Sequence, residues 1–331
     1  MEIIFDDIET IECVSDGWDD YVYDIEVEDD SHTFIANDIL VHNSLYMSYE
    51  NLLKTIDGYE NMSEKERVAI VVKINQLFLN KHNQEFMDAY YKTRHAKSIH
   101  EFELETCSMR TINLKIKKRY AKAVTWEDGK WYDEPKIDAK GLEFKKASYP
   151  STARKIIKEL VQTLLLTDLP KTELEHKMVQ LAMQKKQEFY NAPIETICQN
   201  VGCNNYQKYI ISDDDPDGLQ TGKGCPFAVA GLGLYNWYRN VKGLPGEPHY
   251  GGKMKCYVIK TGAKKKKSDK SSYFCFAASE YPKWADQECP IDKKEMFKKT
   301  VLDPINRILE DIGMMKISID GAIQLDLFGM F

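Results

Sequence analysis

The first 43 residues of this 331-residue chain contain no lysine and no arginine. They hold 14 of its 52 Asp and Glu residues, whereas the other 288 residues hold all 45 Lys and Arg. The overall net charge of −7 therefore combines an acidic segment with a basic remainder of net charge +7. This break in composition predicts two modules that meet near Asn43, and the basic module is a candidate for binding a polyanion.

Other absences narrow the class of protein. The sequence has no apolar run long enough to span a membrane, and its acidic start, Met1–Asp7, lacks the basic region of a signal peptide. The eight cysteines form no CxxC pair, and Cys198 and Cys203 have no second pair or His cluster to complete a zinc site. These features predict reduced thiols in a cytoplasmic protein without a membrane partner.

The acidic module is predicted to be β-structure. Residues 21–28 alternate apolar and polar side chains, residues 32–36 resume as a second strand, and Asn37-Asp38 turns the chain into Ile39-Leu40-Val41. A module this short buries too little surface to fold alone, so we expect it to need a partner.

The basic module is predicted to mix helices and strands. Ser63-Glu64-Lys65-Glu66 is a capping box that opens a long helix over residues 63–95, with a break near Lys81-His82-Asn83. The other expected elements are a strand at 44–50, a strand pair at 101–125, helices at 151–166 and 172–190, short strands between glycine and proline turns at 198–278, and a final helix at 292–312.

The junction of the two modules resembles an intein. Tyr23-Asp24-Ile25-Glu26-Val27, then His32, Phe34 and Ala36, then Ile39-Leu40-Val41-His42-Asn43-Ser44 are similar to the two C-terminal blocks of that family. The resemblance implies that residues 1–43 are part of an all-β Hint fold. It also implies autocatalytic splicing that needs no cofactor.

The residue types at the junction suit this chemistry. The Asn43 side-chain amide can attack its own carbonyl, which forms a succinimide and breaks the bond to Ser44. The Ser44 hydroxyl first receives the upstream acyl group, and His42 is placed to protonate the leaving amine. The resemblance implies that His32 assists Asn43 and that Asp24 coordinates transesterification with cleavage. Taken alone, His32 also fits an ordinary histidine at a strand end.

Met1 stands only about forty residues before the junction, so the first intein nucleophile is not in this chain. This arrangement resembles a split intein that splices in trans with a separate N-terminal half. Because opposite charges favour association, we expect that partner half to be basic.

The basic module resembles the C-terminal part of a family B DNA polymerase. Ser44-Leu45-Tyr46 is similar to the segment after the palm aspartates, and Lys117-Lys118-Arg119-Tyr120 is similar to the Lys-Lys-x-Tyr motif that holds primer–template DNA. Glu105 matches an auxiliary palm carboxylate. Residues 138–143 resemble the palm-to-thumb passage, and residues 224–227 resemble a thumb element of T-even-phage-type replicative enzymes.

The apolar C-terminal tail and a run of four lysines each allow two interpretations. Gln324, Leu327, Met330 and Phe331 follow a pattern that resembles a sliding-clamp-binding peptide, although such a tail could also dock on its own protein. Lys264-Lys265-Lys266-Lys267 fits either a solvated turn or a contact with DNA phosphates.

Together these resemblances imply a multidomain chain: a split-intein half at 1–43, the end of an α+β palm at 44–146, a mainly helical thumb at 147–322 and a clamp-binding tail at 323–331. The implied function is a precursor of the C-terminal part of a phage-type DNA-directed DNA polymerase in the cytoplasm of an infected bacterial cell. It would be joined by trans-splicing to an N-terminal polymerase fragment. An alternative is a non-splicing DNA- and clamp-binding thumb module that is held non-covalently.

The implied substrates are deoxynucleoside triphosphates and primer–template DNA. Two Mg²⁺ ions would be held mainly by aspartates on the partner chain, as family B nucleotidyl transfer requires. The isolated chain is therefore expected to lack polymerase activity.

Overall fold

A computed structural model describes the chain over residues 47–93, 95, 103–116, 118–204, 206–209, 225–260 and 272–321, and gives the backbone of residues 34–36, 39–41 and 323–324. The chain divides into two compact units, residues 1–107 and residues 108–331. We call them the N-terminal unit and the C-terminal unit. The domain boundaries expected at residues 43, 146 and 322 stay predictions.

The N-terminal unit contains a short hairpin of strands β1 (Phe34–Ala36) and β2 (Ile39–Val41). The strands are antiparallel, and Ile35 lies opposite Leu40. Strands were predicted at these positions with a turn at residues 37–38, and the two described strands confirm that part of the prediction.

Helices form the rest of the described N-terminal unit. Helix α1 spans Glu50–Leu53, and a 3₁₀ turn at Tyr59–Asn61 leads into helix α2 (Glu64–Ile74). The strand predicted at residues 44–50 is wrong for its described part, residues 47–50. The helical start is stabilised locally, because Lys54 pairs with Glu50 one turn away and Leu53 is buried.

The predicted capping box begins α2 as expected. The Ser63 hydroxyl accepts a hydrogen bond from the Glu66 backbone N–H at 3.3 Å, and the Glu66 carboxylate accepts from the Ser63 N–H at 2.7 Å. Helical structure then continues through a π-helical turn, Asn75–Leu79, into α3 (Asn80–Thr93).

The irregularity in this long helix lies earlier than the break predicted near Lys81-His82-Asn83. Asn75 is buried at this turn, and its amide donates to the Val71 carbonyl at 2.9 Å while its Oδ1 accepts from the Tyr49 hydroxyl at 3.0 Å. An asparagine that bonds back to the preceding turn competes with the helical hydrogen bonds, and this accounts for the position of the irregularity.

A three-stranded antiparallel sheet opens the C-terminal part of the fold. Its strands are β3 (Thr106–Asn113), β4 (Tyr120–Glu127) and β5 (Lys130–Lys140), in the order β3-β4-β5. The strand pair predicted at residues 101–125 is confirmed, and β5 is a third strand that it did not include.

Helices α4 (Ser151–Leu166) and α5 (Lys171–Asn191) lie where they were predicted. The apolar stripe of α4 is fully buried, including Ile156, Ile157, Leu160 and Val161. It packs in one core with the inward side chains of β4, Ala121 and Ala123. Short helix α6 (Ile194–Ile197) follows.

A second antiparallel sheet consists of β6 (Gln199–Cys203), β7 (Gly252–Val258) and β8 (Tyr273–Ala277). The prediction of short strands and turns across residues 198–278 misses helix α7 (Phe227–Lys242). Glycines suggested turns there, but at Gly231 a Cβ would lie 2.6 Å from the Cys275 sulfur. The glycine therefore permits close packing of the helix on β8.

The expectation that all cysteines are reduced is wrong for two of them. Cys256 and Cys275 form a disulfide, and both are buried. The residues lie directly opposite each other on β7 and β8 with Cα atoms 4.2 Å apart. This proximity follows from the strand register, which the sequence spacing of the cysteines does not reveal. Burial raises the pKa of the free Cys198 thiol to about 12.

The predicted final helix is present as α9 (Lys293–Phe297), a π-helical turn (Lys298–Leu302) and α10 (Asp303–Asp311), preceded by short α8 (Ala285–Glu288). Strands β9 (Lys316–Ile317) and β10 (Ile323–Gln324) pair antiparallel. Within the described residues, no helix is long and apolar enough to cross a membrane. The architecture is compatible with the expected multidomain α+β class.

Candidate nucleic-acid interface

The turn between β3 and β4 carries the Lys-Lys-Arg-Tyr motif. The backbone N–H of Leu114 donates to the Arg119 carbonyl at 3.0 Å and closes the turn. Lys118 is exposed in this turn and has a positive φ of 60°. Tyr120 is the first residue of β4. Lys118 and Arg119 therefore precede the strand, and only Tyr120 of the described motif residues lies on it.

Gly141 lies directly beneath this turn. Its φ is +70°, and a Cβ at this position would lie 2.6 Å from the Lys118 carbonyl oxygen and 2.8 Å from Arg119 Cγ. Only glycine tolerates both the left-handed backbone and the close approach. Gly141, which directly follows β5, therefore lets this segment pack against the backbone of Lys118.

Glu143 holds the turn from the same side. Its two carboxylate oxygens accept from Arg119 Nη2 at 2.7 and 2.6 Å, while Arg119 Nε donates to the Gly141 carbonyl at 3.1 Å. The Glu143 side chain is 2% exposed and that of Arg119 13% exposed. Arg119 therefore points inward and fixes the turn, whereas Lys118 faces outward.

Two further cations approach the same carboxylate. Lys146 Nζ lies 3.5 Å and Arg307 Nη2 3.4 Å from Glu143 Oε1. Burial and the negative charge of Glu143 raise the pKa of the nearby Tyr149 phenol. One buried carboxylate thus faces three cations, and the surface around it carries excess positive charge.

The β4–β5 pair carries two lysines on one face. Tyr120 lies opposite Lys140, and Lys122 lies opposite Asp138, so alternation places these side chains on one face. Lys122 Nζ lies 3.7 Å from the Asp138 carboxylate and 5.7 Å from the Tyr120 ring centroid. Lys122 is buried, whereas Lys118 and Lys140 are exposed. We call Lys118 in the turn, with Tyr120 and Lys140 on the sheet, the basic sheet face.

Several of these residues were not identified as site residues from the sequence. Glu143 stood in the segment 138–143 that was recognised, but nothing in its sequence context showed that it pairs with Arg119. Arg307 lies 164 residues from Glu143 in the chain, and no local signal connects the two. The DNA contacts expected for Lys118, Arg119 and Tyr120 stay predictions, and Lys117 lies outside the described residues.

The predicted splicing residues also lie outside the described residues: Asp24, His32, His42, Asn43 and Ser44. The hairpin beside them is described. Its strands place Phe34 opposite Val41. In the sequence, His32 stands two positions before Phe34, and Asn43 stands two positions after Val41.

The Mg²⁺ ions were predicted to be held mainly by aspartates on the partner chain, with Glu105 as an auxiliary palm carboxylate in this one. Glu105 lies in an exposed segment immediately before β3. No group of three His, Cys, Asp or Glu side chains that could hold a metal ion occurs in the part of the chain that the structure describes. The role of Glu105 stays a prediction.

The predicted clamp-binding tail is described only at its start. The backbone of Gln324 pairs with that of Lys316 in the β9–β10 ladder. Leu327, Met330 and Phe331 lie outside the described residues, as do Lys264, Lys265, Lys266 and Lys267. Clamp binding and phosphate contact by the lysine loop stay predictions.

A stretch of 143 residues of the chain is 32% identical to the DNA-directed DNA polymerase of Escherichia phage RB69. The stretch makes up 43% of this chain and 14% of that polymerase, so the match covers a small part of the relative's length. No protein-family model matches the chain. The similarity supports a polymerase-related region within the chain.

Proposed function

We propose that this chain is the precursor of the C-terminal part of a phage DNA-directed DNA polymerase, and that trans-splicing joins it to an N-terminal polymerase fragment. The observation that carries the polymerase part is the 32% identity to the phage RB69 enzyme. The splicing part rests on the residues from Tyr23 to Ser44 that resemble the C-terminal intein blocks.

In this proposal, residues 1–43 are consumed by the reaction. The Ser44 hydroxyl takes over the upstream acyl group, and Asn43 cyclises to a succinimide, which breaks the bond to Ser44. The freed Ser44 amine then attacks its own ester, so that a normal peptide bond joins the two polymerase parts. His42 protonates the leaving amine.

The geometry of the C-terminal unit supports a role in holding duplex DNA. Lys118 is exposed on a turn that is fixed by the bond between Arg119 and Glu143, and Tyr120 begins the adjacent strand. A cation held on a rigid turn meets a phosphate with little loss of side-chain and loop entropy. The tyrosine beside it offers a ring and a hydroxyl to the minor groove or the sugar.

Catalysis of nucleotidyl transfer is assigned to the joined protein. The Mg²⁺ ions would neutralise the triphosphate and activate the primer hydroxyl when bound. Their main ligands would be palm aspartates of the N-terminal fragment, which the family B resemblance places upstream of Ser44. The contribution of this chain is to position the primer–template through its basic sheet face.

Replacing Lys118 by alanine is expected to weaken binding of the chain to a short primer–template duplex. It should also lower the slope of log K against log salt by about one, because one phosphate contact is lost. Tyr120→Ala should weaken binding without changing that slope. Fluorescence anisotropy over a salt series measures both effects.

The matched control is Lys155→Ala. This exposed lysine lies on α4 and pairs with Glu188 at 3.2 Å. It removes the same charge from the same unit but away from the β3–β4 turn. Equal affinities and equal slopes for the Lys118 and Lys155 variants would contradict the assignment of the turn to DNA.

A further inference from the structure

The second half of the long helix in the N-terminal unit exposes large apolar side chains. Leu77, Phe78 and Phe86 are 62%, 58% and 68% exposed, and none of residues 76–93 is buried. The first half behaves differently, since Val68, Val71 and Val72 of α2 are all buried. We call Phe78 and Phe86, with Leu77 beside Phe78, the apolar helix face.

This exposure is unusual for a helix that faces water. At 1.5 Å per residue, residues 76–93 extend for about 27 Å. Phe78 and Phe86 are two i,i+4 steps apart and so lie towards one side, with His82 between them. Leu77 lies about 100° around the helix from Phe78. The charged side chains between them pair among themselves, as Glu85 lies 3.8 Å from Lys81 and 3.5 Å from His82. A solvent-facing helix normally carries polar residues, and several large apolar side chains exposed on one helix mark an interaction surface.

We infer that the apolar helix face is the docking surface for the N-terminal polymerase fragment that is joined at Ser44. This inference rests on the proposed function. The joined fragment begins close to the face, because Tyr49 follows Ser44 by five residues and its hydroxyl is bound 3.0 Å from Asn75 Oδ1. Five residues reach at most about 18 Å. Leu77 lies two residues beyond Asn75.

The size of the missing partner agrees with this assignment. The region matched in the phage RB69 polymerase is 14% of that protein, so a polymerase of that length has far more chain than this protein supplies. The surface that we assign to the N-terminal fragment is an apolar patch, because apolar side chains are covered favourably by apolar surface. Docking before ligation would also hold the two halves together while the slow covalent steps proceed.

The test measures binding without any contribution from splicing. The intact 331-residue chain is titrated with a recombinant N-terminal polymerase fragment from the same genome, from which its intein half has been deleted. The triple variant Leu77→Ser, Phe78→Ser, Phe86→Ser should bind at least about 30-fold more weakly than the unchanged chain, since truncated apolar anchors dominate interface energies. Amides of residues 76–93 should become protected from hydrogen exchange in the complex.

The matched control is the double variant Leu166→Ser, Val241→Ser, which removes exposed apolar side chains from the C-terminal unit. It should bind like the unchanged chain. Equal binding by the triple variant, or exchange at residues 76–93 that the fragment does not slow, would overturn the inference. Concentration-dependent dimerisation of the chain alone, lost in the triple variant and unaffected by the fragment, would assign the face to a second copy and overturn it too.

Because this fragment has no intein half, a failure of splicing leaves the measurement unchanged. A chain that binds this fragment but does not ligate to a fragment that carries the intein half would contradict the proposed splicing and leave the docking surface intact. If the triple variant binds the fragment like the unchanged chain and still splices normally with the intein-bearing fragment, the docking surface is contradicted and the proposed splicing stands.

Discussion

Asn43→Ala is expected to abolish formation of ligated polymerase when the chain is mixed with its N-terminal partner. Without the side-chain amide, no succinimide can form, and the bond between residue 43 and Ser44 stays intact. The acyl group can still move to the Ser44 hydroxyl, so a branched species that retains residues 1–43 should accumulate. Denaturing gel electrophoresis with mass spectrometry of each band measures this outcome.

Two controls define the Asn43 effect. Asn51→Ala removes an exposed amide from α1, outside the proposed intein, and should splice like the unchanged chain. Ser44→Ala should block ligation but allow Asn43 to cleave, so residues 44–331 should be released without the upstream part. Clean ligated product from the Asn43→Ala chain would rule out the proposed chemistry.

Glu143→Ala is expected to lower the free energy of unfolding of the C-terminal unit by about 3–5 kcal/mol. The substitution leaves the nearly buried guanidinium of Arg119 without its carboxylate, and it leaves Lys146 and Arg307 beside a cation rather than an anion. Glu143→Gln keeps a hydrogen-bond acceptor and should cost about 1–3 kcal/mol. Urea unfolding followed by tryptophan fluorescence gives these values.

Glu127→Ala is the matched control for Glu143. Glu127 also binds a lysine, Lys136, at 2.7 Å and accepts from the Tyr132 hydroxyl, but it lies at the partly exposed end of the β4–β5 hairpin. An exposed pair of this kind should contribute about 1 kcal/mol or less. If Glu143→Ala cost no more than Glu127→Ala, the carboxylate would not be what fixes the turn.

A double variant separates the roles of Arg119. If Arg119 serves to fix the turn, Glu143→Leu with Arg119→Met should recover much of the stability that Glu143→Ala loses, because no buried charge then lacks its partner. Its affinity for primer–template DNA should still be reduced, since the turn that presents Lys118 is no longer held by the ion pair.

Local patterns predicted much of the fold because they depend on near neighbours. The capping box at Ser63 and Glu66 and the apolar stripe of α4 are sequence-local, and both helices begin where expected. Helix α7 was missed because Gly231 was interpreted by its turn propensity, whereas its small size serves a contact with Cys275 on β8. Tertiary packing there outweighs local preference.

The candidate site, like the fold, could be predicted from the sequence only where it depends on neighbouring residues. The Lys-Lys-Arg-Tyr motif is contiguous, so its location could be predicted, but the opposite directions of Lys118 and Arg119 could not. Those directions depend on the turn at Gly141 and on Glu143, and in part on Arg307 from α10. The disulfide between Cys256 and Cys275 likewise depends on a strand register that only the fold specifies.

The most direct test of the account is the mass of the product formed when this chain meets its N-terminal polymerase fragment with the intein half attached. The account predicts a single chain in which the upstream polymerase part is joined to residues 44–331, with residues 1–43 released and a digest peptide that crosses the new bond before Ser44. A stable complex in which both chains keep their original masses would contradict it.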